Sequence, residues 1–279
     1  MGRSIGIIKV VVAGAMMSSV PAQGFTIGTN FTGTDLAAEV VTSGGLASYP
    51  PDTMGAVGPN HIAELINGAF AVYNKTGVLQ NRTTMDNFWQ TAFNQAGTVT
   101  AVNGSFDPRL LYDTNNLRWY AAAVDSRSSA TSRVLIGVTT GNNPALANWR
   151  GFTIDTDTAN TRWGDFPTLG MDSNGIYVSL NMLDNPGGAA LAMDVTVIGV
   201  PKASLTAGVP SIAGFARQEI VGAVNTGFDM HSVVDLDNTA LPLEALSAFN
   251  AANLKRTFIP ANFFAGGGIA PEAAGDFIA

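Results

Sequence analysis

No cysteine occurs in the chain of 279 residues, which excludes disulfides, thiolate nucleophiles and thiolate-bound zinc. Histidine is almost missing as well: His61 and His231 are the only two, too few for a histidine-rich metal centre. Charged residues make up 13% of the chain, against roughly 25% in an ordinary globular protein. What charge there is leans acidic, with a formal net of −7. Such a surface repels phosphate backbones, so nucleic acid is not an expected partner. Neutral sugars or cations suit it better. There is no Gly-x-Ser-x-Gly, phosphate loop or dinucleotide fingerprint, which argues against serine hydrolases and nucleotide enzymes.

What the chain does have is turns and apolar residues: 31 glycines, 13 prolines and a hydrophobic share of 46%. A charge-poor, turn-rich chain of this kind reads as a β protein, long enough for one large domain or two ordinary ones. Residues 1–22 carry the three parts of a secretory signal. Arg3 and Lys9 form a basic start, Val10 to Val20 an apolar run, and Val20-Pro21-Ala22 a small-residue cleavage site. The run is too short for a membrane span, which needs about 20 residues. The alternative is a buried first strand over Ile7 to Val12. Cleavage removes two of the 14 basic residues and none of the 21 acidic ones, so the remaining chain carries −9. The expected setting is secreted, cell-surface or periplasmic, with no membrane span after the signal is removed.

Residues 23–50, rich in Thr and Gly, are expected to be an extended lead-in. Four similar stretches follow: Pro51–Gly58, Phe106–Asp113, Asp165–Asp172 and Phe228–Asp235. Each places an aspartate ahead of a short apolar strand that ends at Gly or Asp. Their closing residues lie 55, 59 and 63 positions apart. In the first three periods about three further strand signals follow: His61–Ile66, Ala69–Tyr73 and Val78–Thr83; Trp119–Val124, Arg133–Thr140 and Trp149–Ile154; Ile176–Met182, Met193–Val200 and Phe215–Val221. Four short strands per unit make one propeller blade, and the period exceeds that of familiar blades by the length of enlarged loops. The clearest copy is DFPTLGMDSNGIYVSLNMLD, two strands joined at Asn174-Gly175, residues that tolerate positive φ. Short helices are expected at Thr84–Asn94 and Leu243–Ala252.

The fold expectation is therefore all-β: a propeller of about four to five four-stranded blades over residues 51–240, either a small ring or an incomplete one. Residues 241–279 are expected to form a partial last blade or a poorly ordered tail, because the chain there turns Ala-, Gly- and Pro-rich.

PPDTMGAVGPNHIAELINGAFAVYNKTG, FDPRLLYDTNNLRWYAAAVD and FPTLGMDSNGIYVSLN resemble stretches of secreted bacterial β-propeller proteins of uncharacterised function, related in architecture to sialidases and other propeller glycosidases. The resemblance covers roughly Pro50 to Asp237 and implies a fold and an extracellular setting rather than a reaction. Sialidases hold a substrate carboxylate with three arginines, the first in an Arg-Ile-Pro motif. Here Arg109 follows Pro108 instead, and the sialidase Asp-box is only faintly echoed at Asp172–Tyr177.

In a propeller the opening strand of each blade lines the axis, so Asp52, Asp107, Asp165 and Asp229 become the candidate catalytic acids. Converging carboxylates repel, which separates acid from base. The plainer role is turn capping by each aspartate. Glu64 and Glu219, inside strand-like segments, are alternative proton donors. Arg109 and Arg162 are candidates to clamp a substrate carboxylate, or to pair with aspartates across strands. Trp163, beside Arg162 and Gly164, is the candidate sugar-stacking ring, and His231 lies two residues after Asp229. No cofactor is certain. Calcium is the candidate cation, held by Asp172, Asp235 and Asp237 on oxygen-rich turns, with plain turn chemistry as the alternative.

The expected function is binding of a polysaccharide or other glycan, or another extracellular polymer, at the channel mouth. A glycoside hydrolase using the inner-strand acids and a non-enzymatic adhesion or structural module that binds protein are the alternatives.

Overall fold

The computed structural model describes residues 28–98, 100–184, 192–222, 227–237, 242–248 and 253–278. The signal-like segment at residues 1–22 lies outside them. Within them the chain is a β-propeller of four antiparallel four-stranded sheets, each ordered along the sequence from its inner strand outward. The first blade is β1 (Met54–Val57), β2 (His61–Ile66), β3 (Ala69–Asn74) and β4 (Leu79–Thr84). The second is β5 (Phe106–Asp113), β6 (Arg118–Asp125), β7 (Arg133–Thr139) and β8 (Trp149–Asp155). The third is β9 (Arg162–Met171), β10 (Gly175–Asp184), β11 (Ala192–Pro201) and β12 (Ala216–Val221). The fourth is β13 (Phe228–Ser232), β14 (Leu243–Ala248), β15 (Asn253–Ile259) and β16 (Ala270–Ile278).

The inner strands pack side by side in the order β1, β5, β9, β13. Three apolar cores fill the spaces between consecutive blades. No comparable packing joins β13 to β1 among the described residues, so the ring is open there. The blade-one/blade-two core is completed by helix α2 (Met85–Ala96), capped by the Thr84 hydroxyl and ended by Gly97 at φ 71°. Its Phe88 meets Trp149 edge-on at 5.0 Å between ring centres.

Among the described residues no blade packs on the outer face of blade one. The lead-in covers it instead. Helix α1 (Leu36–Ser43) packs on β3 and β4, the Phe31 ring lies 5.2 Å from that of Tyr73, and the Thr34 amide donates to Glu64. The segment expected to be merely extended is thus the cover that hides Ala71 and Tyr73.

Three further expectations are corrected. Leu243–Ala248 is a strand, not a helix: Leu243, Ala245 and Ser247 are buried in alternation, and pairing on both sides overrides local helix propensity. The Ala/Gly-rich end supplies β15 and β16, so the fourth sheet has its full four strands. The Asp172–Gly175 turn does not rely on positive φ. Its Asp172 carboxylate accepts the amides of Asn174 and Gly175 at 2.8 and 2.9 Å. Glycine is needed at 175 because a Cβ there would come within 2.4 Å of Phe264 and 2.9 Å of the Val200 carbonyl.

Candidate functional site

Each inner strand carries the same irregularity. In blade two, Phe106 pairs with Val124 and Arg109 with Ala122, so Asp107 and Pro108 together oppose one residue. Blade three repeats this between Asp165 and Thr168, and blade four between Phe228 and His231. In blade one the Asn67 amide bonds to the Pro51 carbonyl while Met54 pairs with Leu65, giving the same two-against-one count. These are β-bulges, and the first bulged residue of each lies in the left-handed region: Asp52 at φ 40°, Asp107 at 51°, Phe166 at 49° and Asp229 at 54°. Aspartate tolerates that conformation; phenylalanine does so only under strain. The third blade therefore has its acid one residue earlier, at Asp165, with Phe166 in the strained position.

The bulges turn the leading acids toward one another. Asp107 shares hydrogen bonds with the carboxyls of Asp52 and Asp165, and the charge of Asp229 reaches Asp165 and Arg109. Burial is the main force holding the Asp107 carboxyl up, to about 7, followed by the Asp52 hydrogen bond and the charges of Asp165 and Asp52; the Phe166 amide opposes it. Burial likewise raises Asp165. Arg109 lies beneath the cluster among Asp107, Asp52 and Asp229, its guanidinium 5.0 Å from the centre of the Phe166 ring. Burial also depresses His231, helped by the Arg109 charge and opposed by Asp229.

Two asparagines tie neighbouring bulges together. Asn67 donates to Asp52 at 2.8 Å and accepts the Asp107 amide at 2.8 Å. Asn181 donates to Asp229 at 2.6 Å and accepts the Asp229 amide at 3.1 Å. Val124 stands at the corresponding place in blade two, and there the Asp107 carboxylate itself takes the Phe166 amide at 3.2 Å. Asn181→Ala leaves a part-buried carboxylate and an amide without these partners. It is expected to destabilise the fold by about 2–3 kcal/mol, read by urea denaturation; a loss under 0.5 kcal/mol would show that the clamp is incidental.

Above the acids opens a cleft of about 460 Å³, lined by Asp52, Asn67, Asp107, Arg127, Asp165 and Phe166, with Tyr49 and Pro50 of the lead-in on the opposite wall. Below, a pocket of about 160 Å³ is lined by Met54, Arg109, Leu110, Thr168, Leu169 and His231, from all four inner strands. Four of the expected residues, Asp52, Asp107, Asp165 and Arg109, thus meet at the axis, with Asp229 and His231 beside them.

The other candidates lie elsewhere. Trp163 is only 3% exposed and packs toward Phe106 of the preceding blade, so it offers no stacking face. The open rings on the axial cleft are Tyr49, 81% exposed, and Phe166, 36% exposed. Arg162 pairs with Asp194 and Glu219 across the outer strands and is no substrate clamp. Glu64 is held by the Thr34 amide and the Tyr73 hydroxyl under the lead-in, so neither glutamate reaches the axis. Asp172 is committed to its turn and the Tyr177 hydroxyl, and Asp235 accepts the Asp237 amide. Among the described residues no group of three His, Asp or Glu is arranged to hold a metal ion, and Asp172, Asp235 and Asp237 form no such cluster.

The residues that sequence reasoning missed are Tyr49, Asn67, Asn181 and Phe166. A signal existed for the asparagines: Asn67 follows Asp52, and Asn181 follows Phe166, at the same spacing of 15.

No known protein family matches the chain, and no curated protein matches it by sequence. Solved structures resemble it in the run of their strands. A xylan β-1,4-xylosidase from Bacillus halodurans aligns at 10% identity and TM-score 0.43, over 81% of this chain and 42% of that one. An exo-β-1,3-galactanase from Phanerochaete chrysosporium gives 8% and 0.44, over 85% and 51%. A subtype N11 neuraminidase-like protein of A/flat-faced bat/Peru/033/2010 (H18N11) gives 11% and 0.44, over 81% and 57%. The chain spans about half the length of these proteins, and likeness at this level carries nothing about activity. No described helix is long and apolar enough to cross a membrane.

Proposed function

We propose that the axial cleft binds a glycan outside the cytoplasm. The observation that carries this reading is the meeting of carboxyls from three blades with two exposed aromatic rings in one cleft of about 460 Å³. Carboxyl and amide groups bind sugar hydroxyls, and an open aromatic face covers a sugar ring; a few polar groups set in an otherwise shaped pocket is the usual form of a ligand site. The acidic rim favours uncharged sugars over anionic ones. The N-terminal signal-like segment supports the extracellular setting.

Glycoside hydrolysis is the second reading, and one observation favours it: Asp107 keeps its proton to about 7, as a general acid must. Against it, Asp107 is in hydrogen-bonding contact with both Asp52 and Asp165. Paired glycosidase carboxyls stand about 5–9.5 Å apart to flank the scissile bond. Binding without turnover is therefore the primary reading.

A glycan array probed with the chain lacking residues 1–22, with and without calcium, tests it. Neutral glycans are expected to bind, and Tyr49→Ala is expected to weaken them at least about tenfold, a loss of roughly 1.4 kcal/mol. A calcium requirement would place a cation in the site. No binding in either condition would move the assignment to a protein-binding module, with Leu36, Val41 and Leu46 on the lead-in as its exposed surface. Release of reducing ends would establish the hydrolase.

A further inference from the structure

The axial cleft does not end at the acids. A second cavity of about 250 Å³ adjoins it, and the two share Ser48, Gly68 and Ser105 in their walls. Together they form a groove from the axis outward, between blades one and two on one side and residues 39–50 of the lead-in on the other. The outer part carries the oxygen groups of Glu39, Ser43, Thr84 and Asp86, alternating with the apolar surfaces of Leu46 and Met85.

Both walls are fixed before any ligand arrives. The Asp35 side chain caps α1, whose end turns at Gly44, φ 73°, and the buried Glu39 carboxylate accepts the Ser48 amide at 2.7 Å. Opposite, Asp86 accepts the Ser105 amide and hydroxyl at 2.8 and 2.6 Å. The saddle between the cavities is Gly68 at φ 90°, where a Cβ would fall 2.0 Å from Glu39 Oε1. Glycine there lets the Glu39 carboxylate and the Ser48 hydroxyl close onto the backbone, which fixes the lead-in against blade one. The axial cleft alone has the volume of a small-ligand site, commonly about 300–1,000 Å³, and the annex adds a second, similarly polar compartment in line with it.

From this geometry we infer that the groove takes an unbranched, uncharged polysaccharide. One sugar lies over the axial acids, and at least one more lies in the outer cavity between the lead-in and α2. This rests on the glycan reading above and deepens it. Glu39 and Asp86 in the annex, added to the acids at the axis, turn away uronate or sulfated chains by like-charge repulsion.

The test is calorimetric titration of the chain lacking residues 1–22 with neutral β-linked gluco-, xylo- and galacto-oligosaccharides of two, four and six sugars, and with an oligogalacturonate. Leu46, 73% exposed at the outer cavity, gives the blocking variant Leu46→Trp, whose unchanged melting temperature certifies the fold. For at least one neutral series the hexamer is expected to bind about tenfold tighter than the dimer, and Leu46→Trp to abolish that gain while leaving the dimer unchanged. The oligogalacturonate should not bind. Equal affinity for dimer and hexamer, or a hexamer indifferent to Leu46→Trp, would overturn the extended groove and leave the axial site standing. Absence of binding by every glycan would overturn both.

Discussion

Replacing Lys202 by methionine is expected to cost about 3–5 kcal/mol of stability, the largest loss anticipated from any single polar substitution in this fold. Lys202 opens the short helix α3 (Lys202–Leu205) after β11, and its ammonium lies 2.6 Å from Asp113 at the end of β5. The side chains are 4% and 0% exposed. The pair therefore joins blade three to blade two without water. Burial pushes the Asp113 carboxyl up, but hydrogen bonds from Lys202, the Asn116 side chain and the Asn115 amide outweigh it and hold it below its ordinary value. Methionine keeps the stem and removes the charge, leaving a buried carboxylate without its counter-ion. At about 2–4 °C per kcal/mol for domains somewhat smaller than this one, the melting temperature should fall by roughly 10 °C. The double variant Lys202→Met/Asp113→Asn is expected to recover most of the loss, because no uncompensated charge remains. A single variant within 1 kcal/mol of the parent, or a double variant no better than the single one, would show that water reaches the pair.

Asp107→Asn should instead stabilise the protein, and only above mildly acidic pH. In the unfolded chain this carboxyl releases its proton near 3.8; in the fold it retains it to about 7. Between those values the folded state binds more protons than the unfolded one. Stability contributed by this group therefore falls as pH rises from about 4 to about 7, and is level beyond. The groups facing it are Asp52 and Asp165, with Asp229, Arg109, Arg127 and His231 around them. Asparagine removes the like-charge conflict and retains an oxygen for the Phe166 amide. Asp107 is only half-buried, which discounts the full shift, so the expected gain at pH 8 is about 1–2 kcal/mol, vanishing near pH 4. Denaturation curves at pH 4.5, 6 and 8 read it directly. A gain that is independent of pH, or a loss at pH 8, would mean that the carboxylates are not in conflict. If the gain is found, the acids are kept at the axis at a cost in stability, as functional sites often are.

The propeller was legible because its repeat has a physical cause. Every blade needs a bulge on its inner strand and a left-handed residue to begin it, and aspartate is one of the few residues that accept the post. That is why Asp52, Asp107 and Asp229 recur at one spacing, and why Asp113 and Asp172 end their strands with a carboxylate turned back on following amides. The third blade broke the spacing because Phe166 occupies the strained position. Nothing local announces that a phenylalanine will be held there by Arg109. Trp163 misled because a loop-like neighbourhood of Arg and Gly hides a position where the strand continues and Phe106 of another blade covers the ring. Leu243–Ala248 has helix-forming composition, and only the two flanking strands decide its state. The role of the lead-in was invisible for the same reason. Glu39 and Tyr49 acquire meaning only when the uncovered face of blade one is in place to receive them. Local backbone demands leave marks in sequence, whereas contacts between distant segments leave few.

The axial site requires several leading acids to meet at one axis closely enough to share a proton. Carbon-detected NMR titration of the aspartate carboxyls, with Asp107→Asn to assign the resonance, measures this. One aspartate with a midpoint near 7 that disappears in the variant is the predicted result. If every aspartate titrates below about 5, as free carboxyls do, the acids are separate and the axial site is not the one described.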